Sequence, residues 1–598
     1  MAEINRREVI KEIRRLMLES KLDALIVPVT DPHLGEYVPE HWRIIEWLTG
    51  FTGSAANVVI THDFAGLWTD SRYFIAAEEQ LKGSGFELVK LKIPHTPEYI
   101  EWITSALKAG GRVGVDGRVI PVATVNKMRE AFSVKKIELD IEADLISPLW
   151  HNRPPMPETG IFEHELRFAG ISREDKITQV RTVMEKMGAD NHMLTSLDDI
   201  AWMLNVRGGD VTYSPLFTAF ALITRSQVLL MINEDKVPAI LKQKFDREGI
   251  VLLPYEETDS MISEISPDES LLVTSGTLSA VLFKAIPEGV RLIEDVSVPG
   301  RLKAIKNETE QLHIRDVMVR DGVALTRFFY WLENSIGKES ITEISAADKL
   351  LSFRMDQENC TGPSFATIAG YNEHAALPHY CAVPETDAEL RPEGIFLCDS
   401  GGQYLDGTTD VTRTIALGKP TKQQKTDFTL ALKGTINLAM AKFPLGTKGY
   451  QIEILARKAL WDNGMNYGHG TGHGVGYFLN VHEGPQTIGT GASGDLKTNI
   501  EPGMLTADEP AIYREGEYGF RTENLILCVD DRETEYGRFL RFDTVTLCYI
   551  DSTLIEKELM TEAETAWIND YHSKVFEKLS PALNPEEKSW LKSKTCLI

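Results

Sequence analysis

A run of glycines and histidines at residues 468–476 constrains this chain more than any other feature. The run reads GHGTGHGVG, and the segment HEGP follows at residues 482–485. Glycine lets a backbone bend and approach other groups closely, and an imidazole can carry a proton or bind a metal. Three histidines within fourteen residues therefore indicate either a catalytic segment or a flexible loop with surface histidines. The acidic residues on either side favour the first interpretation.

Each of four predicted strands has an acidic residue at its edge. The strands are predicted at residues 394–398, 411–417, 504–507 and 525–529. The acidic residues are Asp399, Asp410, Glu509 and Glu523. A sheet that curls would bring these edges together, and four buried carboxylates without a counter-charge could not all stay ionised. Two divalent cations would neutralise them, and oxygen ligands with one imidazole favour Mn²⁺, with Co²⁺ or Zn²⁺ as alternatives.

These acidic residues and one histidine resemble, in their order along the chain, the metal ligands of the pita-bread metallopeptidases. The implied ligands are Asp399, Asp410, His473, Glu509 and Glu523. The strings DGTTDVTRT (406–414), GHGTGHGVG and NVHEGP (480–485), with the pair ADEP (507–510) and FRTEN (520–524), are most similar to cytosolic-type aminopeptidase P, or Xaa-Pro aminopeptidase. LTGFTGSA (48–55) and LWTDSRYF (67–74) resemble that family's N-terminal domain, so the resemblance covers nearly the whole chain.

The resemblance implies a metal-dependent aminopeptidase that removes the N-terminal residue from peptides with proline in the second position. Asp410 and Glu523 would bridge two Mn²⁺ ions, Asp399 would complete one site, and His473 with Glu509 would complete the other. The expected reaction is attack of metal-activated water on the Xaa-Pro bond. That bond is a tertiary amide without a hydrogen, so a dedicated pocket is expected.

The resemblance also implies which residues touch the substrate. His469 would hydrogen bond near the scissile amide, and His482 would stabilise the tetrahedral species. Glu509 would carry the proton to the leaving proline nitrogen, which makes these three residues the expected catalytic groups. His379 would line the proline pocket, and Arg521 would lie on the substrate side.

Two neighbouring residues have a simpler interpretation. Arg521 could merely pair with nearby carboxylates instead of binding substrate. His374 has no counterpart in the family pattern and is expected to be structural.

Composition indicates a soluble protein with several cores. The 598 residues are too many for one hydrophobic core. A net charge of −25 argues against nucleic acid and anionic membranes as partners. Six cysteines without a CxxC pair are typical of free thiols in a reducing compartment, and no signal peptide or apolar run of membrane-spanning length is found. We therefore expect a cytoplasmic protein that binds peptides, and the family suggests a homodimer.

The order of predicted elements indicates an α/β chain with an α+β catalytic part. We expect two related creatinase-like α/β domains at residues 1–155 and 156–305, a pita-bread catalytic domain at 306–550, and a helical tail at 551–598 packed on it. The repeat is suggested by IAWMLNVRG (200–208), which is similar to IEWLTG (45–50). Proline-containing connectors mark both boundaries.

Other functions remain as alternatives. A prolidase would use the same chemistry on dipeptides alone, and a binding module would keep the fold but lose ligands. A methionine aminopeptidase is disfavoured by the roughly 300 residues before the catalytic part, and a metal-free creatinase-like hydrolase by the complete ligand set. The GTGASG segment (489–494) satisfies a dinucleotide-binding pattern, but it neither follows a predicted strand nor opens a helix, so we expect a surface loop.

Overall fold

The computed structural model describes residues 5–93, 96–490 and 497–598. It divides into two compact units. The first contains Met1–Glu165 and Ile171–Gly300, and the second contains Leu166–Gly170 and Arg301–Ile598. Residues 491–494 of the GTGASG segment lie outside the described residues, so its interpretation as a surface loop stays a prediction. Within the described ranges, no helix is both long and apolar enough to cross a membrane.

The first half of the N-terminal unit is built on a six-stranded mixed sheet. Its strands are β1 (Ala24–Pro28), β2 (Ala56–Thr61), β3 (Ala65–Thr69), β4 (Glu87–Lys90), β5 (Arg112–Val115) and β6 (Glu138–Asp140). Its helices are α1 (Arg6–Glu19), α2 (Ile44–Thr49), α3 (Phe74–Gln80), α4 (Glu98–Ala106) and α5 (Val122–Ser133). The strand order is β4-β3-β2-β1-β5-β6. Every residue of the central strand β1 is buried, as its unbroken apolar sequence predicts.

The second half of this unit contains a sheet of the same design. The strands of this sheet are β8 (Asn191–Leu194), β10 (Phe220–Ile223), β11 (Val228–Met231), β12 (Ile250–Leu253), β13 (Ser270–Val273) and β14 (Arg291–Glu294). Two short strands, β7 (Phe162–Glu163) and β9 (Val206–Arg207), pair with each other in a separate ladder. The helices in this part of the chain are α6 (Leu166–Ala169), α7 (Arg173–Met187), α8 (Leu197–Leu204), α9 (Ala239–Arg247), α10 (Thr258–Ser263), α11 (Ala280–Lys284) and α12 (Val298–Ala304). Of these, α6 belongs to the second unit, and α12 begins in the first unit and ends in the second.

The two large sheets share one topology. The second has the order β12-β11-β10-β8-β13-β14. In each sheet the central strand is antiparallel to one neighbour and parallel to the other, and both outermost pairs are parallel. The divergent repeat predicted from the two similar sequence fragments is therefore present as a repeated α/β unit.

The second unit is built from antiparallel sheets of two, three and six strands and from long helices. Its strands are β15 (Cys360–Pro363), β16 (Ile368–Tyr371), β17 (Ile395–Ser400), β18 (Gly402–Tyr404), β19 (Gly407–Thr408), β20 (Val411–Ala416), β21 (Lys442–Pro444), β22 (Gly472–Gly474), β23 (Glu483–Ile488), β24 (Leu505–Asp508), β25 (Ala511–Arg514), β26 (Tyr518–Arg521), β27 (Asn524–Thr534) and β28 (Gly537–Thr544). Its remaining helices are α13 (Glu308–Ser335), α14 (Glu343–Met355), α15 (Lys422–Ala439), α16 (Gly449–Trp461), α17 (Glu562–Leu579) and α18 (Pro585–Lys594).

Two sheets of this unit hold the acidic segments. One has the order β16-β17-β20, and the other has the order β21-β28-β27-β24-β22-β23. Helix α13 begins with the predicted capping box, in which Asn307 and Glu310 bond to each other's backbone amide. Helix α17 of the tail contributes Ile568 and Val575 to the same hydrophobic core as Phe328 of α13.

Candidate active site

Strand β22 fits closely between β23 and β24 because glycine flanks His473 on both sides. A Cβ atom on Gly472 would lie 1.9 Å from the carbonyl oxygen of Ala507, and one on Gly474 would lie 2.2 Å from that of Glu483. No other residue could occupy these two positions without moving the neighbouring strands. The glycine run therefore serves close backbone approach, as the sequence predicts, and it fixes the position of the imidazole between β23 and β24.

Three acidic residues meet where β20 contacts the start of β27. Asp399 near the end of β17 pairs in register with Thr412 of β20, and Asp410 immediately precedes β20. The backbone N–H of Glu523 donates to the Thr412 carbonyl at 3.1 Å, and the Thr412 hydroxyl donates to the Glu523 carboxylate at 2.8 Å. This junction brings Glu523 to Asp399 and Asp410, although more than 100 residues separate them.

His473 faces this group in the orientation of a metal ligand. Its Nδ1 contacts the Gly474 carbonyl oxygen at 2.9 Å, which favours the tautomer with a lone pair on Nε2. Nε2 lies 3.6 Å from Oδ2 of Asp410 and 3.8 Å from Oε1 of Glu509. One ligand atom each from Asp410, His473 and Glu523 lie within 4.8 Å of one another. The structure thus brings the predicted ligands together, with Asp399 held at the same junction.

Arg521 is buried beside these carboxylates. Its Nη2 donates to Oδ2 of Asp399 at 2.6 Å, and its Nε donates to the Thr412 hydroxyl at 3.1 Å. The same Nη2 lies 3.3 Å from the Pro378 carbonyl oxygen, and Nη1 donates to the Tyr513 hydroxyl at 2.6 Å. The pairing with a carboxylate considered from the sequence is therefore present, and the guanidinium also contacts the segment that contains His379.

The carboxylates strongly perturb one another. Burial raises the pKa of Asp410 well above its ordinary value, and the charges of Glu523, Asp399 and Glu509 raise it further, while Arg521 opposes them. Burial and the charge of Asp399 raise the pKa of Glu523 to about 7. Such perturbation is typical of functional sites, and bound cations would remove its cause.

The two other histidines of the central run lie at the same place. His469 Nε2 lies 2.9 Å from the Tyr513 hydroxyl, and its Nδ1 lies 3.9 Å from Oε2 of Glu509. The His482 ring contacts the His473 ring edge-on, with 4.4 Å between ring centroids. The structure therefore groups both predicted substrate histidines with the candidate ligands.

The sequence predicts a role for His379 but gives no prediction for Tyr513. His379 is half-buried and follows Pro378, whose carbonyl oxygen contacts Arg521. Tyr513 was not predicted, yet its hydroxyl lies between Arg521 and His469. Its position on β25, between the two acidic motifs, was the available signal, and no spacing pattern distinguishes it from a core tyrosine.

Four family models match the chain. The model for metallopeptidase family M24 matches residues 313–530, and the model for the C-terminal region of peptidase M24 matches residues 538–598. Two Creatinase/Prolidase N-terminal domain models cover residues 10–143 and 152–310. These matches confirm the predicted fold, in which two related N-terminal domains precede an M24 catalytic domain.

Whole-length relatives are found among sequences and structures. A probable Xaa-Pro aminopeptidase P of Ajellomyces dermatitidis is 37% identical over 622 aligned residues that cover 100% of both chains. One of Talaromyces marneffei is 38% identical over 613 residues, covering 100% of this chain and 93% of its own. The crystal structure of an X-prolyl aminopeptidase of Caenorhabditis elegans, described as a cytosolic enzyme with a di-nuclear active site, matches with a TM-score of 0.94 and 31% identity over 100% of both chains.

Proposed function

Because this chain belongs to the Xaa-Pro aminopeptidase P family, we propose that it removes the N-terminal residue from peptides whose second residue is proline. The observation that supports this most directly is the cluster of four carboxylates and one imidazole. The cluster brings Asp410, His473 and Glu523 within 4.8 Å of one another and raises the pKa of Glu523 to about 7. An arrangement so costly in the absence of cations is best explained by a metal-dependent hydrolase.

The donor set fits two divalent cations, for which we propose Mn²⁺. Oδ1 of Asp399 is buried and has no hydrogen-bond partner among the described residues, as expected of an atom reserved for a ligand. Asp410 and Glu523 would be shared by both ions, Asp399 would complete one site, and His473 with Glu509 would complete the other. When bound, the ions supply the charge that allows water to ionise near neutral pH.

The chain's own residues then move protons and hold the substrate. Glu509 is one-fifth exposed at its side chain, and its Oε2 lies 3.9 Å from His469 Nδ1. This exposure allows it to exchange a proton with solvent, which suits a carrier of the proton to the leaving proline nitrogen. We assign His469 to hydrogen bonding near the scissile amide and His482 to stabilising the negative charge that develops on the carbonyl oxygen.

Selectivity for proline requires contacts that do not depend on an amide hydrogen, because the Xaa-Pro bond has none. We propose that His379 lines the pocket for the proline ring and that Arg521 lies on the substrate side. The contact between Arg521 and the Pro378 carbonyl oxygen supports this assignment, since it joins the two residues' segments beside the carboxylates.

The test is hydrolysis of Arg-Pro-Pro and Arg-Pro, each after chelation and again after Mn²⁺ is restored. Release of arginine from the tripeptide only when the metal is present is the expected result. Cleavage of the dipeptide alone would identify a prolidase. No cleavage of either peptide by the Mn²⁺-loaded protein would contradict the proposal and favour a binding module.

We further propose the division of the chain at residues 155, 305 and 550 that the sequence suggests, and a cytoplasmic location. The cytosolic relative and six free cysteines support that location.

We also propose a homodimer formed through the catalytic part. Its support is an apolar stripe on α16, where Tyr450, Ile454 and Trp461 are 41%, 43% and 48% exposed and lie on one face of the helix. Ile454→Asp should halve the mass measured by light scattering. A monomeric wild-type protein would contradict the proposal.

A further inference from the structure

Glu343 is a buried carboxylate that accepts hydrogen bonds from four donors of one segment. It is the first residue of α14, and its side chain is fully buried. Oε1 accepts from the backbone N–H of Tyr371 at 2.8 Å and lies 2.8 Å from His374 Nδ1. Oε2 accepts from the Tyr380 hydroxyl at 2.8 Å and from the backbone N–H of Ala388 at 3.1 Å. The clamp, meaning Glu343 with these four donors, ties the chain from Tyr371 to Ala388 to the start of α14.

His374 is the donor of the clamp that can carry a positive charge. Its ring stacks on that of Tyr380, with 4.4 Å between centroids and 27° between planes. The hydrogen bond to Glu343 raises the pKa of His374, burial opposes this, and the charges of Glu343 and Glu373 add to the increase. A buried carboxylate with a cationic partner is far less costly than one without, so His374 is matched to this position.

The opposite side of the clamped segment faces the candidate active site. The Pro378 carbonyl oxygen lies 3.3 Å from Nη2 of Arg521. Ala375 packs so closely on β26 that a Cβ atom on Gly519 would lie 1.9 Å from the Ala375 carbonyl oxygen. His379 is therefore in a short stretch held by α14 on one side and by β26 and Arg521 on the other.

We propose that His374 and Glu343 form a positioning pair that holds His379 at the proline pocket. This proposal rests on the proposed function, because it gives His379 the role of contacting substrate. Neither member of the pair needs to touch the substrate. Their effect is to remove the freedom of the segment before the substrate binds, which is the usual origin of a binding gain from preorganisation.

The arrangement predicts an effect on KM that depends on pH. The groups that face His374 are the carboxylates of Glu343 and Glu373 and the ring of Tyr380. As the pH rises through the raised pKa of His374, the imidazolium loses its proton and the pair weakens. KM for Xaa-Pro peptides should therefore rise on the alkaline side of that pKa, while kcat changes little because the candidate catalytic groups are not displaced.

The first experiment measures amide hydrogen exchange in the full-length Mn²⁺-loaded protein. His374→Ala should accelerate exchange at Tyr371 and Ala388, whose amides donate to Glu343, by about tenfold, the order expected when one charge-assisted hydrogen bond is lost. His313→Ala is the matched control, since His313 Nδ1 lies 3.5 Å from a buried aspartate and its side chain is 27% exposed against 23% for His374. Unchanged protection in His374→Ala would overturn the clamp.

The second experiment measures hydrolysis of Arg-Pro-Pro across the pH range. His374→Ala should raise KM about tenfold with kcat within about twofold. His374→Asn keeps a side-chain N–H donor but cannot ionise, so it should recover part of the KM at neutral pH and lack the alkaline rise. An unchanged KM, or a loss confined to kcat, would overturn the positioning role.

The two experiments also separate this inference from the proposed function. If the wild-type protein cleaves Arg-Pro-Pro and His374→Ala behaves like it, the function stands and the inference fails. If the wild-type protein cleaves no Xaa-Pro peptide, the proposed function and the role of His379 fail together. Amide exchange then still decides whether Glu343 clamps the segment.

Discussion

Two contrasting kinds of buried carboxyl group lie in the second unit, which contains the candidate active site. Those of the first kind are each paired with a buried cation of the protein, and the pairs are Asp321 with Arg354, Glu453 with Arg457, and Glu483 with Lys306. Those of the second kind are crowded together, and they are Asp399, Asp410 and Glu523, with the partly exposed Glu509 beside them. Fixed pairs satisfy themselves. In the cluster Arg521 pairs with Asp399, but the pKa values of Asp410 and Glu523 remain raised, so the remaining charge must be balanced by cations from outside the chain.

Two of the fixed pairs hold segments next to the cluster. Arg457 of the Glu453 pair donates to the His469 carbonyl oxygen at 2.7 Å. Lys306 Nζ donates to Oε1 of Glu483 at 2.5 Å. Glu483 directly follows His482 in the chain. This fold therefore has balanced ion pairs where rigidity is needed and concentrates unbalanced charge where a ligand binds. The unbalanced cluster lowers local stability in return for function.

The largest predicted effect comes from removing one carboxylate of the cluster. Asp410→Asn should reduce turnover of Arg-Pro-Pro about a thousandfold or more and lower Mn²⁺ occupancy, because a shared ligand is lost. The chelated variant should nevertheless melt at a higher temperature than the chelated wild-type protein, because a carboxyl with a raised pKa is removed. Steady-state kinetics measures the turnover, metal analysis the Mn²⁺ occupancy, and calorimetry the melting temperature.

The control for this variant is the same substitution in a fixed pair. Asp321→Asn leaves the buried Arg354 without its carboxylate, so it should lower the melting temperature whether or not metal is present. Retained turnover in Asp410→Asn, or the same loss of stability in both variants, would break the distinction between the two kinds of carboxyl group.

The next effect in size comes from removing the cation of a fixed pair. Lys306→Met leaves Glu483 buried with its charge uncompensated apart from Lys303, whose Nζ is 3.9 Å away. It should lower the free energy of unfolding by about 3–5 kcal/mol, measured by chemical denaturation. The double variant Lys306→Met/Glu483→Gln should recover most of this loss. If the double variant is no more stable than the single one, the loss arises from packing and not from charge.

The elements that contain the site could be predicted because their signals are local. Predicted strands at 394–398 and 411–417 correspond to β17 and β20, and the capping box of Asn307 and Glu310 begins α13 as expected. The four acidic candidate ligands could be proposed because each lies near the edge of a predicted strand, and His473 because its order along the chain with them resembles that of a known family.

Contacts between distant residues could not be predicted in this way. Arg413 is buried and donates to the Glu523 carbonyl oxygen at 2.6 Å and the Tyr571 hydroxyl at 2.8 Å, yet 110 and 158 residues separate these partners in sequence. Glu343 and His374 are likewise 31 residues apart. Composition and periodicity report which face of an element is buried, but they do not report which buried donor meets which acceptor.

The cluster should make the chelated protein less stable as the pH rises. The folded pKa of Glu523 is about 7, above its ordinary value of 4.5, so the folded chain binds more protons than the unfolded chain between these values. The free energy of unfolding should therefore fall from about pH 4.5 to about pH 7, by an amount on the order of 3 kcal/mol for one such group. Calorimetry of the chelated protein across this range measures the slope.

Two further samples show whether the ionised cluster causes this pH dependence of stability. Loading with Mn²⁺ should remove the slope, because the cations compensate the ionised carboxylates, and Glu523→Gln should reduce it in the chelated protein. A chelated protein whose stability increases across this window would show that the cluster behaves like the fixed pairs.

The smallest predicted effect concerns the cation that contacts the cluster. Arg521 pairs with Asp399, and the Tyr513 hydroxyl accepts its Nη1–H at 2.6 Å while lying 2.9 Å from His469 Nε2. Tyr513→Phe removes that link but keeps the ring, so kcat/KM should fall about tenfold, the order expected for one hydrogen bond to a charged group, while Mn²⁺ stoichiometry stays unchanged. Tyr536→Phe, at a tyrosine 83% exposed, is the control. An unaltered kcat/KM would mean that the remaining partners of Arg521 orient it without Tyr513, and loss of metal would mean that Tyr513 supports the cluster itself.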